Sequence, residues 1–251
     1  MRSKSDGNSN KIEQVAELLK ASKFAIAYTG AGCSVESGIP PFRGEAGIWN
    51  RYNPRLLELD YFFSNPEQSW NAIREIFYDF FTDAKPNQAH IVLAQLEALG
   101  IIKAIVTQNI DDLHFKAGSK EVYEFHGNSQ NLKCTKCGYS VAASGIDLGK
   151  IPPACDRCGG LLKPDFIFFG EGIPPVAYDK SFDAARIADV VLVIGSTGEV
   201  MPACQVPWEA KRKGATIIEI NPTVSNFTNQ ITDIHIRMEA GKAMELIGKK
   251  F

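Results

Sequence analysis

The 251-residue sequence has no run of about 20 apolar residues, the length a helix needs to cross a bilayer, so no membrane span is expected. Its first ten residues, MRSKSDGNSN, lack the apolar core of a secretory signal, and the expected location is the cytoplasm. Neither sign of charge is in excess. Against 27 Lys and Arg stand 29 Asp and Glu, a net charge of −2, so no basic footprint for nucleic acid is present and no specific nucleic-acid partner is expected. Six cysteines are too few to staple a chain of this length with disulfides. There is no internal repeat and no low-complexity tract.

What is present is an ordinary globular composition, 45% hydrophobic and 22% charged, enough to bury one core with an inserted module. Ile12, Val15, Leu18 and Leu19 recur at helical spacing. Apolar runs at 24–28, 104–107, 166–169, 190–194 and 216–220 read as buried strands, alternating with helices at 88–99, 181–187 and 205–213. Strand alternating with helix predicts an α/β fold: a doubly wound, parallel, Rossmann-like sheet with a smaller zinc-ribbon plus helical module. One catalytic core over 11–251 is expected. Its Rossmann-like part comprises 11–36, 87–127 and 164–251, with an aromatic-rich helical insertion at 37–86 (Trp49, Trp70, Phe77, Phe80 and Phe81 among its rings) and a zinc module at 128–163. Residues 1–10 and 249–251 are expected to be frayed ends.

Cys134-x-x-Cys137 and Cys155-x-x-Cys158 are 17 residues apart, the spacing of a four-cysteine zinc site. Gly138 and Gly159, one residue past each pair, suit turns that need a positive φ. Four thiolates leave no open coordination position, so the expected zinc is structural. Cys33 and Cys204 are expected to pack in the core.

The run Gly30-Ala31-Gly32-Cys33-Ser34 follows a predicted strand. Glycines at such a turn let backbone N–H groups approach a pyrophosphate at a helix N-terminus. The third glycine of G-x-G-x-x-G is replaced by Val35, and no acidic residue ends a prompt second strand, so a dehydrogenase is disfavoured.

The longer run GAGCSVESGIPPFR (residues 30–43) resembles a signature of the sirtuin family. TQNIDDLH (107–114) with Ala117-Gly118, His126-Gly127, the cysteine pairs, Phe169-Gly170-Glu171, Gly195-Ser196-Thr197 and Ile220-Asn221-Pro222 follow in family order, covering nearly the whole chain. The resemblance implies an NAD-consuming protein-lysine deacylase, with NAD as cosubstrate and one structural Zn2+. Gly30, Ala31, Gly32 and Ser34 would cradle the phosphates, supported by Gly195 and Ser196, with Asn221 near the adenosine ribose. Phe42 would shield the reacting sugar carbon and Arg43 would pair with a phosphate. Gln108, Asn109 and Asp111 would hold the nicotinamide ribose and carboxamide. The implied catalytic set is His126, as general base, with Asn109 and Asp111. Of the other histidines, His114 is expected to be structural, and His90 and His235 to pack or face solvent.

The implied partners are acyl-lysine proteins bound as extended peptides between the strand edge at 166–171 and the loop at 198–202, by a monomeric enzyme. Mono-ADP-ribosyl transfer to protein is the alternative activity. The chain departs from the family in three places. Cys33 replaces an aliphatic residue, and Gly198-Glu199 stands where an apolar residue is usual, so that Glu199 would favour basic flanking residues or face solvent. The helix around Arg74 lacks the Tyr-x-x-Arg of desuccinylating members, which favours an uncharged acyl group, acetyl first.

Overall fold

The computed structural model describes residues 4–45, 47–79 and 83–251; Phe80 and Phe81 lie outside them, as do residues 1–3. In chain order the elements are α1 (Lys4–Ala21), β1 (Ala25–Thr29), α2 (Leu59–Ser64), α3 (Pro66–Ile73), α4 (Gln88–Ala98), β2 (Ile102–Thr107), α5 (Leu113–Lys116), β3 (Val122–Glu124), β4 (Gly127–Cys134), β5 (Ser140–Ala142), β6 (Leu162–Phe166), α6 (Pro175–Ile187), β7 (Val190–Ile194), α7 (Gln205–Arg212), β8 (Thr216–Ile220), β9 (Ile234–Ile236) and α8 (Ala240–Gly248).

Six strands form one sheet in the order β3-β2-β1-β7-β8-β9, every neighbouring pair parallel. Helices cover both faces, which is why β1 (AIAYT) and β7 (VVLVI) are buried at every residue and read as continuous apolar runs. Val15, Leu19, Leu93, Leu96, Met244 and Ile247 from α1, α4 and α8 fill one face. Phe182, Ala185, Val206 and Ala210 from α6 and α7 fill the other. The chain winds outward from β1 to β3, returns to β7 beside β1, and winds out the other way. This reversal opens a crevice at the C-terminal ends of β1 and β7, where open α/β sheets bind ligands.

The second lobe is a three-stranded antiparallel sheet, β5-β4-β6, packed on the helical insertion. The expected strand at 166–169 is thereby corrected. The extended segment is Leu162–Phe166, and it pairs with β4, not with the parallel sheet. The reason is proximity: the second cysteine turn delivers Leu162 directly opposite Cys134. Phe166 and Phe168 then fill a cluster with Phe62, Trp70, Ile73 and Phe77, so the insertion and the cysteine module share one core. Trp70 Nε1 donates to Leu162 O across it at 2.8 Å.

α1 begins at Lys4, inside the segment expected as a tail. Its buried stripe of Ile12, Val15 and Leu19 seats the helix on the sheet, and the preceding turns continue it. Among the described residues no helix is long and apolar enough to cross a membrane.

Candidate active site

The turns after β1 and β7 meet backbone to backbone at the crevice. Gly30 N donates to Ile194 O at 3.0 Å, and Gly32 N to Gly195 O at 2.9 Å. A Cβ on Gly195 (φ +63°) would lie 2.3 Å from Cys33 N, so only glycine permits the approach. These bonds change the expected cradle. Gly30 and Gly32 use their N–H groups within the protein, whereas among the described residues Ala31 N–H in the first turn and Ser196 and Thr197 N–H in the second have no hydrogen-bond partner. All three residues line a cleft of about 430 Å³. Unpartnered N–H groups converging from two turns suit a pyrophosphate. The first turn runs on into two short 3₁₀ segments, Ala31–Cys33 and Val35–Ser37, so no long helix begins at this turn.

Ser34, expected among the cradle residues, is 1% exposed and stands behind the turn. Its hydroxyl donates to Asp111 Oδ2 at 2.6 Å and accepts from Asn109 Nδ2 at 3.1 Å. Asn109 Nδ2 also donates to Gly30 O at 3.1 Å, tying the β2 loop to the glycine turn. Asp111 Oδ1 accepts the Leu113 N–H at 3.0 Å, at the entry to α5 where Asp112 is left-handed (φ +65°). Burial raises the Asp111 carboxyl, with the Ser34 hydroxyl opposing the shift. Asn109 lines the cleft, whereas Asp111 supports it from behind.

His90 is fully buried, which corrects the solvent-facing alternative. Its Nδ1 accepts the Asn87 N–H at 3.3 Å in a capping box, so the Nε2 proton faces Ser34 Oγ at 3.5 Å and Cys33 Sγ at 3.9 Å. That tautomer gives Nε2 no lone pair. The Cys33, His90 and His114 cluster, with ligand atoms within 4.8 Å, is therefore polar packing and not a metal centre. Burial lowers His90 to about 4 and pushes the Cys33 thiol up, so both are neutral at pH 7. His114 Nε2 meets Thr29 Oγ1 at 2.9 Å, the structural role expected of it.

His126 lines the cleft. Phe125 N donates to Thr107 O and extends the β3–β2 ladder up to it. Its Nδ1 sits 3.1 Å from Gln108 O, and because a carbonyl only accepts, Nδ1 carries the proton and Nε2 is bare. Burial lowers the imidazole below its usual 6.5, with the Gln108 carbonyl opposing the shift. Gln108 Nε2 donates to Ser196 Oγ at 3.0 Å, and Asn221 Nδ2 to Ser196 O at 3.1 Å, so three expected residues share one network at the cleft wall.

Phe42 and Arg43 line the same cleft, the Phe42 ring lying 5.4 Å from Trp49 and 6.2 Å from Phe77. Arg43 Nε pairs with Glu199 Oε2 at 3.0 Å, which gives the half-exposed carboxylate a partner within the protein. Glu239 and Ala240, at the start of α8, close the far end and were not anticipated. The helical spacing of Ala240, Ala243, Met244 and Ile247 is the sequence signal for them.

In the small lobe Cys134 Sγ lies 3.5 Å from Cys158 Sγ, and Cys137 Sγ 3.8 Å from Cys155 Sγ. All four sulfurs fall within 4.8 Å of one another. Tetrahedral zinc with bonds of about 2.3 Å separates its sulfurs by about 3.8 Å, so the cluster fits a structural zinc and is too open for disulfides. The N–H groups of Cys137 and Lys136 point at Cys134 Sγ and lower its thiol to about 6. Gly138 and Gly159 have φ of +71° and +68°, as expected. Gly160 admits the sulfurs, since a Cβ there would lie 2.9 Å from Cys134 Sγ.

The expected peptide edge narrows. Phe169 gives its N–H to Leu57 O at 2.8 Å and takes the Leu59 N–H at 3.0 Å, and Ile167 N donates to His126 O at 2.8 Å. Among the described residues, the Gly170 N–H and C=O and the Ile167 and Glu171 C=O of this segment have no hydrogen-bond partner, and Phe169 beside Gly170 is 45% exposed.

Sheet order, glycine turns and sulfur tetrahedron together define a dinucleotide-binding α/β protein with a structural zinc module. A sequence model of the Sir2 family matches residues 30–202. The NAD-dependent protein deacylase of Pyrococcus abyssi is 43% identical over 243 residues, covering 93% of this chain and 95% of that protein. A Sir2 homologue solved with NAD superposes with a TM-score of 0.87 at 41% identity, over 95% of this chain and 93% of the other. A Sir2 complex with a p53 peptide and NAD+ gives 0.89 at 33% identity, over 95% and 98%. The chain belongs to the Sir2 family, the sirtuins.

Proposed function

We propose that this protein removes acyl groups, acetyl first, from lysine side chains of proteins, consuming NAD and releasing nicotinamide and O-acyl-ADP-ribose. The observation that carries the reading is His126, in the cleft, with Nδ1–H bound to Gln108 O and Nε2 bare. NAD supplies an electrophilic ribose carbon with nicotinamide as its leaving group. Ala31, Ser196 and Thr197 N–H would hold the pyrophosphate, with Gly30, Gly32 and Gly195 allowing its approach. Asn221, also on the cleft lining, would lie near the adenosine ribose. Asn109, braced by Ser34 and Asp111, would orient the nicotinamide ribose, and Gln108 would complete that pocket. Phe42, packed on Trp49, would keep water from the reacting carbon.

The acyl oxygen would bond the ribose carbon as nicotinamide leaves. His126 Nε2 would take the proton of a ribose hydroxyl whose oxygen then bonds the acyl carbon, and water would restore the acyl carbonyl as the lysine nitrogen departs as the amine. The acyl-lysine peptide would lie extended against Gly170 and the 198–202 loop, where main-chain hydrogen bonds read backbone before side chains. A solved relative carries a p53 peptide, and such a partner suits this edge.

Mass spectrometry of an acetyl-lysine peptide with the protein, with and without NAD, tests the reading. NAD-dependent loss of acetyl with acetyl-ADP-ribose formed is expected. His126→Ala should lower the rate about 10²- to 10⁴-fold, the usual contribution of a general base. ADP-ribose appearing on protein with every acyl group retained would replace deacylation by mono-ADP-ribosyl transfer.

A further inference from the structure

Glu199 is the residue that the family pattern does not explain. It follows Gly198 in the turn after β7, on the rim opposite Arg43. The two side chains, 42% and 45% exposed, meet at 3.0 Å, and Arg43 lines the cleft together with Ala31, Ser196 and Thr197. Among the described residues neither makes a second ion pair, so each charge has the other as its one partner.

We infer that Glu199 competes with the NAD pyrophosphate for Arg43 and thereby sets the NAD affinity of this chain. The inference rests on the reading that Arg43 meets a phosphate when NAD binds. The Glu199 contact takes the Nε edge of the guanidinium, and the group's single positive charge is then shared with any phosphate it meets. A pyrophosphate on the cradle adds negative charge beside this pair. Arg43 can engage it by opening the ion pair or by dividing its charge between two anions, and in either case the Glu199 carboxylate repels the newcomer. A neutral residue at this position would impose neither cost. Because exposed ion pairs are weak and screened by salt, the effect is a few-fold change in affinity and not an on–off gate.

The test is a double-mutant cycle on the zinc-loaded protein: wild type, Glu199→Gln, Arg43→Ala and the double variant. KM for NAD is measured at saturating acetyl-lysine peptide, and ADP-ribose Kd by calorimetry, at low and high salt. Glu199→Gln should lower both constants about threefold, and the gain should shrink at high salt. Arg43→Ala should raise both constants and largely remove the benefit of Glu199→Gln. A rise in KM on Glu199→Gln would mean that Glu199 holds Arg43 in its NAD-binding pose, which overturns the inference. An equal gain with Arg43 absent would reduce it to plain repulsion, also overturning it. Unchanged constants in Arg43→Ala would remove the phosphate role of Arg43 and the inference with it. The loss or retention of acetyl judges deacylation separately, since the calorimetric arm needs no turnover.

Discussion

The two lobes hold their functional groups in place with different materials. In the sheet lobe, aliphatic surface on both faces of six parallel strands provides the stability, and the buried polar groups behind the cleft are bonded to one another. Thr29 Oγ1 donates to Thr107 Oγ1 at 2.8 Å, Asn109 bridges Gly30 and Ser34, and His90 caps a helix while facing Ser34. The small lobe has three short strands, an aromatic cluster, four cysteines and a buried charge. Lys163, 8% exposed, gives its Nζ to Pro164 O at 2.8 Å, Phe166 O at 2.7 Å and Glu171 Oε2 at 3.0 Å. The same Glu171 oxygen accepts Phe168 N–H at 2.9 Å, so one ion pair fixes the segment expected to meet the peptide. Where apolar area is plentiful, hydrogen bonds between turns and side chains hold the site. Where it is scarce, a metal and a buried ammonium take over.

This contrast is breakable. Its largest consequence concerns zinc, since structural sites contribute about 10–16 kcal/mol to small zinc-finger folds. Chelation, or Cys155→Ser, should abolish deacylation and open the small lobe while the parallel sheet persists. Zinc content with limited proteolysis mapped by mass spectrometry checks this, with cuts expected in 37–86 and 128–163. Cuts spread evenly over the chain would show one cooperative unit instead of two differently stabilised lobes.

Next in size is Lys163→Met, which leaves the Glu171 carboxylate beside a buried segment without its cation. One-sided removal of a buried pair costs about 3–5 kcal/mol, and the lower end applies because the Glu171 side chain is 27% exposed. Urea unfolding should show the loss. Two-substrate kinetics should show KM for the acyl peptide rising at least about fivefold while KM for NAD moves less than about twofold, with partial recovery in Lys163→Arg. Equal movement of both constants would argue that Lys163 serves general stability alone.

The smallest expected effect belongs to the sheet lobe. Burial favours neutral His126, so its folded pKa lies below 6.5, and the base is lost as pH falls through that value. The kcat/KM profile should be flat from about pH 7 to 8 with an acid limb below 6.5. A limb centred above 7 would mean that a charged neighbour, not burial, governs this imidazole.

Much of this was legible in order along the chain. Val190–Ile194 is a buried strand because only a doubly covered strand tolerates five consecutive aliphatic residues, and its placement needed no tertiary information. The cysteine spacing and its two left-handed glycines are likewise local properties, set by what a short turn must do to bring thiolates together. The motif residues His126, Gln108 and Asn109 were identifiable by resemblance, and the cleft gathers them. What the sequence could not decide is where separate segments meet. Leu162–Phe166 joins β4 because the cysteine turn leaves it there, whereas the apolar run at 166–169 reads locally as a parallel strand. Ser34 stands behind the cradle, and Gly30 and Gly32 use up their N–H groups, because Gly195 arrives from 163 residues further along the chain. The pairing of Arg43 with Glu199 has the same origin. Local sequence determined backbone conformation and burial, which depend on near neighbours. Hydrogen-bond partners and ion pairs across the cleft depend on long-range distance, which tertiary packing alone sets.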